Sequence, residues 1–302
     1  MIKINNRNIL ISSLLAVCFS VQANSSETVI VEPELVPLLT KAIEQYQYDV
    51  VIEPENDVQQ AMLAGQARIA ISSRKWTDEE VGRFYEKYAQ NPVMLYFTAD
   101  VAAILVNPDN PVKAVAMSDL RTIFGCHENE QFIRWQGRTE VGDYVQPFTV
   151  EGELASHKNF TKLVECQPGT YSTTHYLADR EALDDKLDDE PNALAYTVQV
   201  DPDRAEHALE IITDEGESYS IDKETILSGR YPLSNVYYLY LTPKSAQIDN
   251  DKPVLPFVEL VTQEQDSDLF QGSGFMSLPA TAIVRNRVEL KLQTPIVEGG
   301  YK

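Results

Sequence analysis

Residues 28–80 read TVIVEPELVPLLTKAIEQYQYDVVIEPENDVQQAMLAGQARIAISSRKWTDEE, and the alternation within them sets the architecture. Thr28–Val31 is a short β-branched run. Leu35 to Tyr46 spaces its apolar residues as an amphipathic helix, and Val50–Ile52 turns β-branched again. Val58–Ala64 predicts a helix ending at Gly65, and Arg68–Ile71 a third strand. Thr77, followed by Asp78, Glu79 and Glu80, supplies a hydroxyl cap and first-turn carboxylates for another helix. Strands separated by helices pair in parallel, with the helices packed on the sheet. The N-terminal third is therefore expected to form an α/β lobe.

Beyond this stretch, Val93 to Val106 is an extended passage, expected to break at Thr98-Ala99-Asp100, that suits a chain crossing between lobes. Ser118–Phe124 reads as a capped helix, and Ser156–Val164 and His175–Leu187 as longer ones. Leu194–Val200 and Ala208–Thr213 read as strands. Tyr237–Leu241 is an aromatic strand, taken as the return crossing, with one face buried by alternation. Phe257–Thr262 begins a helix, and Phe275–Leu278 follows a Gly-rich turn. A chain of 302 residues exceeds what one core comfortably holds. The expected division is a signal peptide over 1–23, a first lobe from 24–97 plus 240–302, and a second from 98–239. The acidic cluster Asp184–Glu190 reads as a solvated helix end.

Lys3 and Arg7 precede an apolar run from Ile9 to Val21, and Val21-Gln22-Ala23 offers the small-residue pattern of a signal-peptide cleavage site. The run is well short of the roughly 20 residues that span a bilayer. Export to the periplasm is expected, without membrane insertion. Leu15-Ala16-Val17-Cys18 resembles a lipobox that would instead lipidate Cys18, but Val17 is bulky for its position and the apolar run continues past it.

Lys and Arg number 25 against 46 Asp and Glu, a net charge of −21, which opposes nucleic acid and anionic lipid as partners. Past the signal peptide two cysteines remain, Cys126 and Cys166, and in an oxidising compartment such a pair is expected to form a disulfide. No G-x-S-x-G elbow or H-E-x-x-H helix occurs, and His127, His157, His175 and His207 lack metal-ligand spacing. Neither an enzyme nor a cofactor is expected.

Several stretches then add up, in order, to a family. IAISSR at Ile69–Arg74 is followed by Asp78-Glu79-Glu80, and ADVAAILVNPDNP occupies Ala99–Pro111. Ser118–Phe124 precedes Gly125 and Trp135. Ala193–Tyr196, Tyr231-Pro232-Leu233 and Gly272–Leu278 follow. Over residues 28–280 the chain resembles the phosphate-binding type of periplasmic solute-binding protein, the substrate-binding family of ABC phosphate transporters. The resemblance implies an α/β type II periplasmic binding-protein fold, two lobes joined by two crossover strands. It also implies a small-molecule solute held in the cleft and an ABC permease as partner.

In that family a dehydrated oxyanion is held by helix N-termini, Ser and Thr hydroxyls, an Arg and an Asp. This chain departs from the pattern at four places. Val31-Glu32-Pro33-Glu34 and Pro54-Glu55-Asn56 replace two Ser- and Gly-containing loops. Arg68 stands where the family has Asp, and Glu151 where it has Arg, with Leu154-Ala155-Ser156 in place of Ser-Gly-Thr. The resemblance thus nominates Glu32, Glu34, Glu55, Arg68, Ser72, Glu151 and Ser156 as ligand contacts, with Arg68 and Glu151 a charge pair of reversed polarity. Such a cleft is hostile to phosphate and tolerant of a cationic or zwitterionic solute. Three other readings stay open: ordinary helix-start carboxylates marking a site without ligand, a non-transport interaction role on the same scaffold, and an atypical phosphate binder.

Overall fold

A computed structural model describes residues 27–128, 133–135, 144–150, 170, 172–198, 207–246 and 256–295. Its strands are β1 (Glu27–Val31), β2 (Val50–Pro54), β3 (Ile69–Ser72), β4 (Val93–Val101), β5 (Ala103–Val106), β6 (Ala114–Ala116), β7 (Gln146–Val150), β8 (His175–Leu177), β9 (Ala193–Thr197), β10 (Glu210–Ile212), β11 (Ser218–Tyr219) and β12 (Ser234–Leu241).

The first sheet has the order β2-β1-β3-β12-β4. β1 pairs in parallel with both β2 and β3, as the intervening helices require. Val36–Tyr46 buries Leu38, Leu39 and Ala42. Val58–Ala64 is capped by the Asp57 side chain and ends on Gly65 at φ 85, a left-handed conformation that glycine adopts without Cβ strain. Asp78–Tyr88 starts with a Thr77–Glu80 capping box. Val29–Val31 of β1 and Ile69–Ile71 of β3 are uninterrupted apolar, buried runs because both faces are covered there.

β12 runs antiparallel to both β3 and β4. The expected alternation of a buried and an exposed face does not hold for it. Tyr237, Tyr238 and Tyr240 are all buried, since Tyr237 packs on Phe275 and Tyr240 on Trp76.

The second sheet has the order β5-β9-β7-β8, and β6, β10 and β11 form a third, three-stranded sheet. The fold is α/β and two-lobed, with β4 and β12 as the crossover strands. The boundaries expected at 97/98 and 239/240 fall inside these strands, whose pairing in the first sheet runs on to Val101 and back to Ser234. The change of sheet comes at Ala102, whose N–H donates to the carbonyl of Leu233 (2.9 Å). The buried Tyr231 hydroxyl donates to the Ala102 carbonyl (3.1 Å). These bonds fasten the outgoing and returning chains together.

Two local expectations need correction. The passage from Val93 does not break at Thr98-Ala99-Asp100. Thr98 donates to the Met276 carbonyl (2.7 Å) and Asp100 accepts from the Tyr237 hydroxyl (3.0 Å), so both polar residues are satisfied within the strand. His175–Leu187 is not one helix. His175–Leu177 pairs with β7, and the Asp179 side chain accepts from Ala182 N to start a new helix over Arg180–Asp189. The Ser156–Val164 helix falls outside the described residues.

β4 is an edge strand, and the C-terminal segment covers that edge. Met276 bridges Ala99, and Gln265 donates to the Phe97 carbonyl (3.1 Å). Asn286, 1% exposed, lies on the helix Ala280–Glu289. Its amide accepts from Tyr96 N and donates to the carbonyls of Tyr96 and Val261, each at 2.8 Å. Asn286→Ala should leave these buried groups without partners and cost about 2–4 kcal/mol, read as a lower urea midpoint. A change within about 0.5 kcal/mol, the range of a neutral surface substitution, would show that the staple is dispensable.

Candidate functional site

Because β12 is antiparallel to β3 and to β4, the strands β1 to β4 all point the same way. Their carboxyl ends lie on the edge from which Ala102 leads into β5. Ligands of open α/β sheets bind outside the carboxyl ends of the strands, so the side chains at this edge form the candidate site.

Glu32 follows β1 directly. Its backbone is extended (φ −64, ψ 141) before a 3-10 turn over Pro33–Leu35, and its side chain does not cap that turn. Although only 6% exposed, the carboxylate is well supplied with hydrogen bonds from the end of β3. Oε1 accepts from Ser72 Oγ (2.7 Å), Ser73 N (2.9 Å) and Ser73 Oγ (3.1 Å), and Oε2 accepts from Ser73 Oγ (2.9 Å).

Ser72, 1% exposed, is oriented from behind. Its oxygen accepts from Gln59 Nε2 (3.0 Å) and Arg74 N (3.1 Å). Gln59 also donates to the Arg74 carbonyl (2.8 Å), which the Tyr240 hydroxyl approaches at 3.3 Å.

The Arg74 guanidinium makes a two-pronged pair with Glu80, both bonds 2.8 Å, and lies 3.7 Å from Asp57. The pair lowers the Glu80 carboxyl to about 2, chiefly through the Arg74 hydrogen bonds, with Thr77 N–H adding to it.

Asp100 sits near the carboxyl end of β4. Its carboxylate accepts from Asn235 N (3.1 Å), Asn235 Nδ2 (2.7 Å) and the Tyr237 hydroxyl (3.0 Å). Burial, followed by the charge of Asp100, pushes the phenol of Tyr237 well up, and Glu32 and Glu34 add to the shift. Burial followed by Asp100 does the same to Tyr196, which belongs to β9 in the second sheet. This acidic corner therefore lies at the junction of the two sheets.

The sequence-derived residues divide accordingly. Glu32 and Ser72 are in direct contact, and Glu34 is close enough to act on Tyr237. Glu55 follows β2 at the same edge and is exposed. Arg68 requires correction. It precedes β3, so the length of that strand, roughly 10 Å at strand rise, separates it from Ser72. It pairs there with Glu27 at the start of β1, and its carbonyl accepts from Thr242 N (3.0 Å). It therefore cannot form one half of a charge pair across the junction. Glu151 and Ser156 lie outside the described residues.

Sequence reasoning missed Ser73, Gln59 and Asp100. The Ser-Ser-Arg ending of β3 was a signal for Ser73. Gln59 carried none, since a lone polar residue in a helix does not reveal which way it faces. Among the described residues no group of His, Cys, Asp and Glu gathers as a metal site, and no helix is long and apolar enough to cross a membrane.

A family model for the PBP superfamily domain matches residues 29–258. The phosphate-binding protein PstS of Pseudomonas aeruginosa is 26% identical over 251 residues, which is 77% of this chain and 74% of that protein. The crystal structure of "a possible phosphate binding protein" from Planctomyces limnophilus superposes with a TM-score of 0.64 at 17% identity, covering 88% of this chain and 98% of that one. PstS from Borrelia burgdorferi gives 0.58 at 16% identity, covering 84% and 99%. The two structural likenesses are of fold. With the family match spanning most of its length, the chain belongs to the PBP superfamily.

Proposed function

We propose that this protein is an extracytoplasmic solute-binding protein, not an enzyme. It traps a small cationic or zwitterionic solute, rather than phosphate, in the cleft between its lobes and passes it to an ABC permease. The observation that carries this reading is the commitment of Arg74. The cation beside the Ser72–Ser73 turn is already neutralised by Glu80, while Glu34 and Glu55 add further carboxylates to the same edge. A phosphate dianion brought there would lose hydration beside like charges, and the Arg74 guanidinium, already paired, would offset little of the loss. A cation would gain from the same field.

Export belongs to this reading. The signal peptide and its cleavage after Ala23 lie outside the described residues, as does Cys166. Cys126 is disulfide-bonded, which supports a Cys126–Cys166 bridge. Such a loop adds roughly 4 kcal/mol in the chain-entropy model.

Calorimetric titration of protein freed of bound ligand by unfolding and refolding tests the ligand class. A polyamine or amino acid is expected to bind at micromolar affinity, worth about −8 kcal/mol, and phosphate far more weakly. Tight phosphate binding would sink the reading.

The bridge is checked by alkylation and intact mass of periplasmic protein. Both thiols should label only after reduction, and labelling beforehand would refute it.

The Arg74–Glu80 pair predicts a pH dependence. The folded carboxyl is held at about 2, below its ordinary 4.5, so its stabilisation is complete above pH 4.5 and fades as pH falls toward 2. Glu80→Gln should flatten the pH–stability curve in that window. An unchanged acid limb would show that the pair contributes nothing.

A further inference from the structure

The hydrogen bonds at the end of β3 give Glu32 a role different from contacting a solute. We propose that its carboxylate is a built-in anion. From within the chain it fills an oxyanion-sized set of donors made by Ser72 Oγ, Ser73 N and Ser73 Oγ, and so keeps free oxyanions out of the edge. The inference makes Glu32 a specificity-determining residue of the site proposed above, and it rests on that edge facing the ligand.

Three features carry it. First, two hydroxyls and a backbone N–H converge on one carboxylate at 2.7–3.1 Å, which is the donor chemistry by which proteins hold small oxyanions. Second, two of the three donors, Ser72 Oγ and Ser73 N, are set independently of Glu32. Ser72 accepts from Gln59 and Arg74 N, so its single proton is left to point at Glu32. Ser73 N is placed by the chain leaving β3. Third, Glu32 does not act as an ordinary helix-start carboxylate, because its side chain makes no cap to the turn that follows it. It reaches across to the neighbouring strand instead. Both partners are buried, Glu32 to 6% and Ser72 to 1% exposure. A truncated side chain would thus leave the buried Ser72 hydroxyl and the half-buried Ser73 donors without their acceptor, which a formate or phosphate oxygen would replace.

The test is chemical rescue. Full-length Glu32→Ala should melt below the wild type in chloride. Formate, and separately phosphate, should then raise its melting temperature saturably at matched ionic strength, while the wild type stays unmoved. Calorimetry should show anion affinity at least about tenfold above that of the wild type. Adding Ser73→Ala should abolish the response. Equal responses from the wild type and Glu32→Ala would overturn the proposal, as would rescue that survives Ser73→Ala. If Glu32→Ala does not fold in chloride, refolding yield in formate against chloride is read instead, and equal yields overturn it. Glu32→Asp, which withdraws the charge by one methylene, should respond to formate less than Glu32→Ala. The outcome is separable from that of the functional reading. Rescue of the variant without any cationic solute bound by the wild type would fail the function alone. A bound solute without rescue would fail this inference alone.

Discussion

The arrangement depends on β12 lying antiparallel between β3 and β4. This strand comes from far along the chain, yet it completes the first sheet, pairing Ser234 with Val101 at one end and Leu241 with Val93 at the other. Its direction forces β4 to run with β1, β2 and β3, so four strands finish on one edge. The chain leaves that edge once, through Ala102, and returns beside it at Leu233. The hydrogen bond between these residues and the Tyr231 hydroxyl on the Ala102 carbonyl fix where the sheets meet. Loop residues at the strand ends are thereby brought to the junction without any of them being near neighbours in sequence.

The electrostatics of that junction follow from how its acids are satisfied. Glu32 and Asp100 are buried carboxylates that accept from serine hydroxyls, a tyrosine hydroxyl, an asparagine amide and backbone N–H groups. Neutral donors make a buried carboxylate tolerable while leaving its charge in place. Away from the Arg74–Glu80 pair, Arg68, Arg121 and Arg180 keep a third or more of their side chains in water, where pairing contributes little to stability. The charge of Asp100 reaches beyond its own strand. Its effect is felt in the phenols of Tyr237 and Tyr196, which carry the influence of the corner into each of the two sheets.

The Arg68 case shows how far a linear reading reaches. The residue was nominated by its position in a motif, and the motif does mark β3 correctly. A strand nevertheless has two ends, and only one faces the junction. Which end a residue occupies depends on where pairing starts, and the pairing of Val29 with Ile69 puts Arg68 outside the ladder on the far side. Glu32 and Ser72, nominated by the same resemblance, do lie together at the junction end, because each ends or follows a parallel strand there. Ser73 and Gln59 were missed because their importance lies in one geometry: a hydroxyl and an amide aimed at the same small volume.

Residues 28–80 by themselves determined an α/β lobe, its order of strands and helices, and two of its helix ends, the Thr77 cap and the Gly65 stop. Those features rest on local periodicity and on side chains reaching backbone a few residues away, as in the Thr77–Glu80 capping box. The sequence also marked Val93–Val106 and Tyr237–Leu241 as extended, and strands occupy both stretches. Only the tertiary structure decided that the outgoing chain changes sheet at Ala102, that Asp100 stays inside the ladder, and that Glu32 bonds to serines about 40 positions away. Such contacts form between groups whose approach depends on register and strand direction, and these are fixed by the packing of the whole sheet rather than by any stretch of chain within it.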